Sequence, residues 1–296
     1  MKQTAAYKYL PPELAERLRN LGLAVRRPVE GSVQGLHKSP HLGSSVEFAE
    51  YREYVPGDPP DLIDWAVYAR SDRYVIRRFR EETNVRAWIV LDTSESLAFK
   101  EEGLFPKYDY AAFLAAGLMY VLLNQGDAVG LMTFDDHVVK ALPPAASFEG
   151  LLPLLLHLEE TRPTGKTDIE AALHQASEII KGRSLIILIS DLLQDPTKIL
   201  RGIRHLQHDR HDVTVLHVLD GGEMRLAFTG HAELRELETR QKMVIEADEL
   251  RDAYAREVDR YLAELRQGCA DSQAEYHLVD TRRPVEEAIQ LRATRA

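Results

Sequence analysis

The stretch that decides the fold is WIVLDTSES, residues 88–96. Its first four residues are apolar, a run too short for a helix, and they predict a strand that is buried on both faces. The pattern then changes to Asp92-x-Ser94-x-Ser96. In an open α/β sheet, ligands bind beyond the carboxyl ends of the strands, which is where this motif falls. The sequence therefore predicts a polar site at the end of this strand.

Two interpretations of the motif are open at this point. Short oxygen side chains at alternate residues of a tight loop can turn toward one point. That arrangement suits Mg²⁺ or Mn²⁺ and offers no soft ligand for zinc or copper. The simpler alternative is a serine-rich turn that caps the next helix. Residues elsewhere in the chain are needed to decide between a metal site and a helix cap.

Strand and helix patterns alternate regularly after this strand. The predicted helices cover residues 108–124, 148–159, 168–181 and 196–207, and the predicted strands cover 128–134, 137–142, 184–190 and 213–219. The turn at Asp135-Asp136 makes a hairpin, so one strand runs antiparallel to its neighbour. Helices that alternate with strands are typical of βα units. We predict an α/β fold with a doubly wound, mainly parallel, Rossmann-like sheet and one antiparallel edge strand.

The chain divides into a core and flanking segments. Residues 1–85 contain an N-terminal helix and an accessory β-rich segment, and residues 86–220 form the core. Residues 221–247 are strand-rich and break the alternation, so we expect them to return and pack with the N-terminal strands as a small accessory lobe. Residues 248–296 complete the core. The predicted flanking elements are a helix over 11–25, strands over 46–54 and 74–79, a helix over 248–267, a strand over 275–279 and a helix that begins at 284.

Composition limits the classes of function. The chain has 296 residues, of which 45% are hydrophobic and 28% charged, as in an ordinary soluble globular protein. Its formal net charge of −10 argues against a nucleic-acid binder with a broad basic face. The longest uncharged apolar run, residues 111–123, is shorter than the roughly 20 residues that span a bilayer. The N-terminus has no apolar signal core, and the single cysteine, Cys269, fits a reducing compartment. We therefore expect a cytoplasmic protein without a membrane segment.

Three oxygen-rich points fall at strand ends or at the helix starts near them. They are the Asp92-x-Ser94-x-Ser96 motif, Thr167, and Asp191 after the apolar run LIILIS. A doubly wound sheet brings the ends of adjacent parallel strands together, so these distant residues can meet. Two carboxylates and three hydroxyls, with water completing an octahedron, would form an Mg²⁺ site. The carboxylates would neutralise the ion, and one position would stay open for an incoming oxygen.

These five residues resemble the metal-ion-dependent adhesion site of von Willebrand factor A domains, and the element order of residues 86–220 is similar too. In that family the serines and the threonine coordinate the metal, and the aspartates bind it directly or through water. The resemblance therefore implies Mg²⁺ or Mn²⁺ as the cofactor and Asp92, Ser94, Ser96, Thr167 and Asp191 as its ligands. It also implies that an acidic residue of a partner protein supplies the sixth ligand.

A second resemblance covers about residues 30–290. The runs REYVPGD at 52–58, IDW at 63–65 and AR at 69–70 precede the core, and they resemble the bacterial family catalogued as domain of unknown function 58. Members resemble partners of MoxR-type AAA+ ATPases, so this resemblance implies such an ATPase as the partner. It assigns no role to Arg52, Asp58 or Asp64, for which a salt-bridged turn is an equal alternative.

The sequence thus favours a metal-ion-dependent protein-binding module that is not an enzyme. The alternative is a metal-dependent phosphohydrolase that uses the same carboxylates, although Lys166 is the only obvious candidate for the extra catalytic group that hydrolysis needs. A third possibility is a structural role with a metal-free site.

Other motifs are weaker. Gly165-Lys166-Thr167 resembles the end of a P-loop, but Glu160 stands where that pattern needs a glycine. Ser94 replaces the second aspartate of a haloacid-dehalogenase motif, and with it the general acid of that chemistry. His205, His208 and His211 follow helical spacing and could bind a soft metal, but a solvated helix end explains them more simply.

Overall fold

The computed structural model describes residues 7–19, 21, 46–55, 63–81, 85–226, 229–235, 237–238 and 240–293. The strands, in chain order, are β1 (Val46–Glu53), β2 (Val75–Glu81), β3 (Arg86–Asp92), β4 (Ala128–Phe134), β5 (Val138–Ala145), β6 (Leu185–Ser190), β7 (Asp212–Leu219), β8 (His231–Arg235), β9 (Lys242–Glu246) and β10 (Glu275–Asp280). The helices are α1 (Pro12–Leu18), α2 (Trp65–Ser71), α3 (Lys107–Asn124), α4 (Phe148–Glu160), α5 (Ile169–Ile179), α6 (Pro196–His208), α7 (Gly221–Met224), α8 (Ala247–Asp271) and α9 (Val285–Ala293).

A six-stranded sheet with the order β10-β7-β6-β3-β4-β5 carries the larger part of the chain. All neighbouring strands are parallel except β4 and β5, which form the predicted antiparallel hairpin at the edge. From β3 the chain winds to β4 and β5 on one side, and then to β6, β7 and β10 on the other. The switch point therefore lies between β3 and β6, the place where doubly wound sheets bind ligands. The predicted fold class is confirmed.

Helices cover both faces of this sheet because β3 is apolar on both sides. Successive side chains of a strand point to opposite faces. Ile89 and Leu91 belong to one core cluster with residues of α1, α3, α4 and α9, while Trp88 and Val90 belong to a second cluster with residues of α5, α6 and α8. The apolar run of α3 is buried almost all round in the first cluster. Within the described ranges, no helix has the length and apolar character needed to cross a membrane.

The N-terminal helix is shorter than the predicted one. The chain divides into two compact units, residues 1–27 with 85–296, and residues 28–84. α1 ends at Leu18, whereas the predicted helix ran to residue 25, beyond the described part of this region. Gly117 lets α1 and α9 approach α3, since a Cβ there would lie 3.0 Å from Leu18 Cδ1 and 2.5 Å from Ile289 Cδ1.

The smaller unit contains an antiparallel hairpin of β1 and β2 and the short helix α2. Asp64 caps α2, accepting hydrogen bonds from the amides of Ala66 (2.9 Å) and Val67 (3.1 Å) and from the Tyr51 hydroxyl (3.1 Å). A structural role therefore accounts for Asp64. Asp58 lies outside the described residues.

Residues 221–247 form a helical turn, α7, and a separate hairpin of β8 and β9. This hairpin and the β1–β2 hairpin belong to different two-stranded sheets, and residues 221–247 fall in the larger unit. The helical turn was not predicted. The joint accessory lobe of the two hairpins stays a prediction.

Candidate metal centre at the carboxyl edge of the sheet

Asp92 is the last residue of β3, and its side chain is fully buried. One carboxylate oxygen accepts a hydrogen bond from the amide of Ser94 at 2.9 Å, and the other accepts one from the Ser190 hydroxyl at 2.6 Å. Burial, and then the negative charge of Asp191, raises the pKa of the Asp92 carboxyl to about 7, although these hydrogen bonds act in the opposite direction. Two carboxyl groups therefore lie close enough at this edge for their charges to interact.

The two serines of the motif face each other behind Asp92. Ser94 is fully buried, Ser96 is 9% exposed, and their hydroxyl oxygens are 3.0 Å apart. A 3-10 turn follows at Glu95–Ala98, and the side chain of Ser94 makes no capping hydrogen bond to it. The interpretation of this segment as a serine cap is therefore wrong. The hydroxyls instead add two oxygen atoms to a buried cluster that begins with Asp92.

Asp191 follows β6 and has a different neighbour. The ammonium of Lys107 lies 2.6 Å from Asp191 Oδ2 and also binds the carboxylate of Glu223. The side chain of Lys107 is completely buried. Burial alone would lower the pKa of this lysine, but the charges of Asp191 and Glu223 outweigh it and raise the pKa above its ordinary value. Lys107 is therefore a positively charged group fixed inside the site.

Neither Lys107 nor Glu223 was predicted from the sequence as a residue of the site. Lysine is rarely buried, so the residue before an apolar helix is naturally assigned to the surface. A signal was nevertheless present, because Lys107 is the first residue of α3 and a positive charge there opposes the helix dipole. Glu223 lies in α7, where it completes a capping box with Asp220. Residues 221–247 were predicted to be strand-rich, and no pattern in them indicated the helical turn α7.

A buried histidine holds the backbone of Asp191 from the other side. His217 Nε2 lies 2.7 Å from the carbonyl oxygen of Asp191, and His217 Nδ1 lies 2.7 Å from the hydroxyl of Tyr276. Burial lowers the pKa of His217 to about 4, so the ring is neutral at pH 7. A neutral ring can donate from Nε2 to the carbonyl and accept from the tyrosine at Nδ1. Both ring nitrogens are thus engaged in holding the end of β6.

The loop that carries Thr167 is tied to the Asp92 motif through its backbone. The amide of Thr164 donates to the carbonyl of Thr93 at 2.9 Å, and the amide of Glu95 donates to the carbonyl of Gly165 at 3.1 Å. The Thr167 hydroxyl itself donates to Glu238 Oε1 at 2.7 Å. The loop therefore lies beside the serines, while the threonine side chain contacts a carboxylate of the β8–β9 turn.

The predicted ligands are thus connected to one another by different kinds of contact. Asp92, Ser94 and Ser96 form one buried cluster, Asp191 influences Asp92 through its charge, and Thr167 approaches through its loop. The assignment of these five residues as metal ligands stays a prediction.

The weaker candidates have simpler environments. Thr167 and the rest of the P-loop-like segment follow α4 rather than a strand, as expected. His208 is exposed, and His211 is buried with its Nδ1 3.2 Å from the amide of Ser184. Asp135, Asp136 and His137 cluster in the hairpin turn before β5, and Asp136 and His137 are exposed there.

Comparisons with known proteins place the chain in a family. It is 27% identical over 258 residues to uncharacterized protein Rv1480 of Mycobacterium tuberculosis. The alignment covers 86% of this chain and 80% of that protein. Among solved structures it is similar to an aerotolerance-related membrane protein from Bacteroides fragilis, with 19% identity, a TM-score of 0.49 and coverage of 72% of this chain and 100% of that one. It is also similar to the SpRpn10 VWA domain, with 12% identity, a TM-score of 0.42 and coverage of 70% and 95%. A family model matches residues 50–264, more than half of the chain, and the chain therefore belongs to the family described as protein of unknown function DUF58.

Proposed function

We propose that this chain is a metal-ion-dependent protein-binding module. It binds one Mg²⁺ or Mn²⁺ and uses that ion to hold an acidic side chain of a partner protein. On the family resemblance, the partner is a MoxR-type AAA+ ATPase, and a cytoplasmic location is part of the proposal. The supporting observation is the buried cluster of Asp92, Ser94 and Ser96 at the switch point of the sheet.

The donor set fits a hard divalent cation. The side-chain donors from Asp92, Ser94, Ser96, Thr167 and Asp191 are all oxygens, the ligand type that Mg²⁺ prefers. The charge also fits, because the carboxylates of Asp92, Asp191 and Glu223, when ionised, oppose one ammonium. The excess is two negative charges, or three with the Glu238 carboxylate that contacts Thr167, which is enough to compensate one such ion. The ion would supply a positive charge directed at an incoming carboxylate.

The residues around the site support binding rather than catalysis. Hydrolysis would need a group placed to take a proton from water. His217 uses both ring nitrogens in hydrogen bonds, and Lys107 is held between two carboxylates. Neither is available as a base. Turnover of phosphate esters by the Mn²⁺-loaded protein would instead favour the phosphohydrolase alternative.

The test is calorimetric titration with Mn²⁺ of the wild type and of Asp92→Ala. We expect one-to-one binding by the wild type. Truncating one member of a buried charge pair costs about 2–5 kcal/mol, so the variant should lose roughly 30-fold to several-thousand-fold in affinity. Asp212→Ala, at the amino end of β7 where Asp212 pairs with Arg183, is the matched control and should bind normally. Equal affinities of wild type and Asp92→Ala would contradict the site assignment.

The partner is tested by affinity capture from the native cell with Mg²⁺ and with chelator. An AAA+ ATPase that is retained with Mg²⁺ and lost with chelator supports the proposal. Its equal retention in both samples would show that the ATPase binds another face of the protein.

A further inference from the structure

A carboxylate of this same chain already contacts one of the predicted metal ligands. Glu238, in the turn between β8 and β9, accepts two hydrogen bonds from Thr167: the hydroxyl donates to Oε1 at 2.7 Å and the backbone amide donates to Oε2 at 3.2 Å. Each carboxylate oxygen thus has its own donor. The proposed function leaves this contact unexplained, since an acidic side chain of the chain itself already contacts a predicted metal ligand.

The hydrogen bond is compatible with a metal at the threonine. A hydroxyl has one proton to donate and two lone pairs that accept or coordinate. Because Thr167 gives its proton to Glu238, its lone pairs remain for a cation. Glu238 therefore leaves the Thr167 hydroxyl able to bind a cation, and it places a negative charge beside that hydroxyl.

A second contact ties the same turn to the serine motif. Arg240 forms an ion pair with Glu95, the residue between Ser94 and Ser96. The β8–β9 turn consequently contacts both loops of the site, the one with the threonine and the one with the serines. Two independent contacts hold the turn over the site.

The hairpin that carries this turn is packed at its base, where Ile245 of β9 is buried, and less so nearer the turn. An isolated two-stranded hairpin is marginally stable in water. Two apolar side chains of β9, Met243 and Val244, are 64% and 70% exposed, so they add little burial to it. The Arg240–Glu95 ion pair is also partly exposed, and such pairs contribute little to stability. A partner that offers its own carboxylate can therefore displace the turn.

We propose that Glu238 is the intrachain carboxylate ligand of this site, and that it occupies the position of the partner's acidic residue until a partner displaces the β8–β9 turn. This inference rests on the proposed function. It means that the chain competes with its own partner, and that a metal bound here would be more accessible to water without the Glu238 carboxylate.

The test compares Glu238→Ala with wild type, using Glu233→Ala as the control on the same hairpin, where Glu233 pairs with Lys242. In the metal-free protein, hydrogen exchange of the Thr167 amide should be roughly tenfold faster in Glu238→Ala, because the hydrogen bond from that amide to the Glu238 carboxylate is lost. In the Mn²⁺-loaded protein, water proton relaxation per bound ion should rise in Glu238→Ala, because water replaces a carboxylate on the metal. Glu233→Ala should match wild type in both measurements.

The outcomes separate this inference from the function on which it rests. Unchanged exchange at Thr167 would overturn it, and so would unchanged relaxation in protein that binds Mn²⁺ normally. Failure of both wild type and variant to bind Mn²⁺ would overturn the proposed function, and the inference with it.

Discussion

Asp92 and Asp191 lie at the ends of neighbouring strands, yet they are stabilised in different ways. Asp92 accepts hydrogen bonds from the Ser94 amide and the Ser190 hydroxyl, and the Ser94–Ser96 hydroxyl pair lies beside it. Asp191 pairs with the ammonium of Lys107. One carboxylate is therefore surrounded by neutral dipoles, and the other has a counter-ion that belongs to the chain.

This difference predicts different roles for Asp92 and Asp191. A carboxylate stabilised only by dipoles in a buried position gains much from an added cation, because its own charge is poorly solvated there. A carboxylate with a built-in ammonium is already compensated. The Asp92 carboxylate would thus gain more from an added cation than the Asp191 carboxylate, which already has the ammonium of Lys107 beside it. Three substitutions test this division.

The largest expected effect comes from removing the permanent cation. Lys107→Met should lower the free energy of unfolding by about 3–5 kcal/mol, because it leaves Asp191 and Glu223 buried without their partner. Adding Asp191→Asn to Lys107→Met should recover part of that loss. Lys8→Met removes an exposed ion pair with Asp109 and should change stability by about 1 kcal/mol or less. Urea denaturation measures all of these variants, and a Lys107→Met effect as small as that of Lys8→Met would contradict the division.

A smaller effect is expected where dipoles stabilise Asp92. Ser190→Ala removes the hydroxyl that donates to Asp92 and accepts from the amide of Leu192 at 3.0 Å. Leaving buried polar groups without partners costs about 1–3 kcal/mol, and urea denaturation in the presence of chelator should show that loss. Ser272→Ala, at a half-buried helix end, should change stability by about 0.5 kcal/mol. Equal stability of Ser190→Ala and wild type would mean that the Ser190 hydroxyl does not stabilise Asp92.

The smallest expected effect concerns a single metal ligand. Ser94→Ala should weaken Mn²⁺ binding about tenfold, the typical scale for losing one polar contact of about 1.4 kcal/mol. Its unfolding free energy in chelator should stay within about 1 kcal/mol of wild type. Ser177→Ala removes another nearly buried hydroxyl, which binds Asp209 outside the site, and should leave Mn²⁺ affinity unchanged. Calorimetric titration compares the two variants, and equal affinities would remove Ser94 from the ligand set.

The sequence by itself determined the sheet and the location of its polar edge. Apolar runs and helical spacing are local properties of the chain, so β3, β6 and the buried helix α3 could be predicted within a few residues. The alternation of these elements then determined a doubly wound sheet, because few topologies accommodate it. The same rule predicted that the ends of β3 and β6 meet, which is why Asp92 and Asp191 could be named together.

Only the tertiary structure decided which charges face each other at that edge. Lys107 lies 84 residues from Asp191 in the sequence, and Glu238 lies 71 residues from Thr167, so no local spacing connects either pair. A lysine and a glutamate both have patterns typical of the surface when they are considered one by one. Whether such a residue is solvated or buried against an opposite charge depends on the packing of α3, α7 and the β8–β9 turn around the sheet. That packing is a property of the whole fold, and it places Lys107 against Asp191 and Glu238 against Thr167.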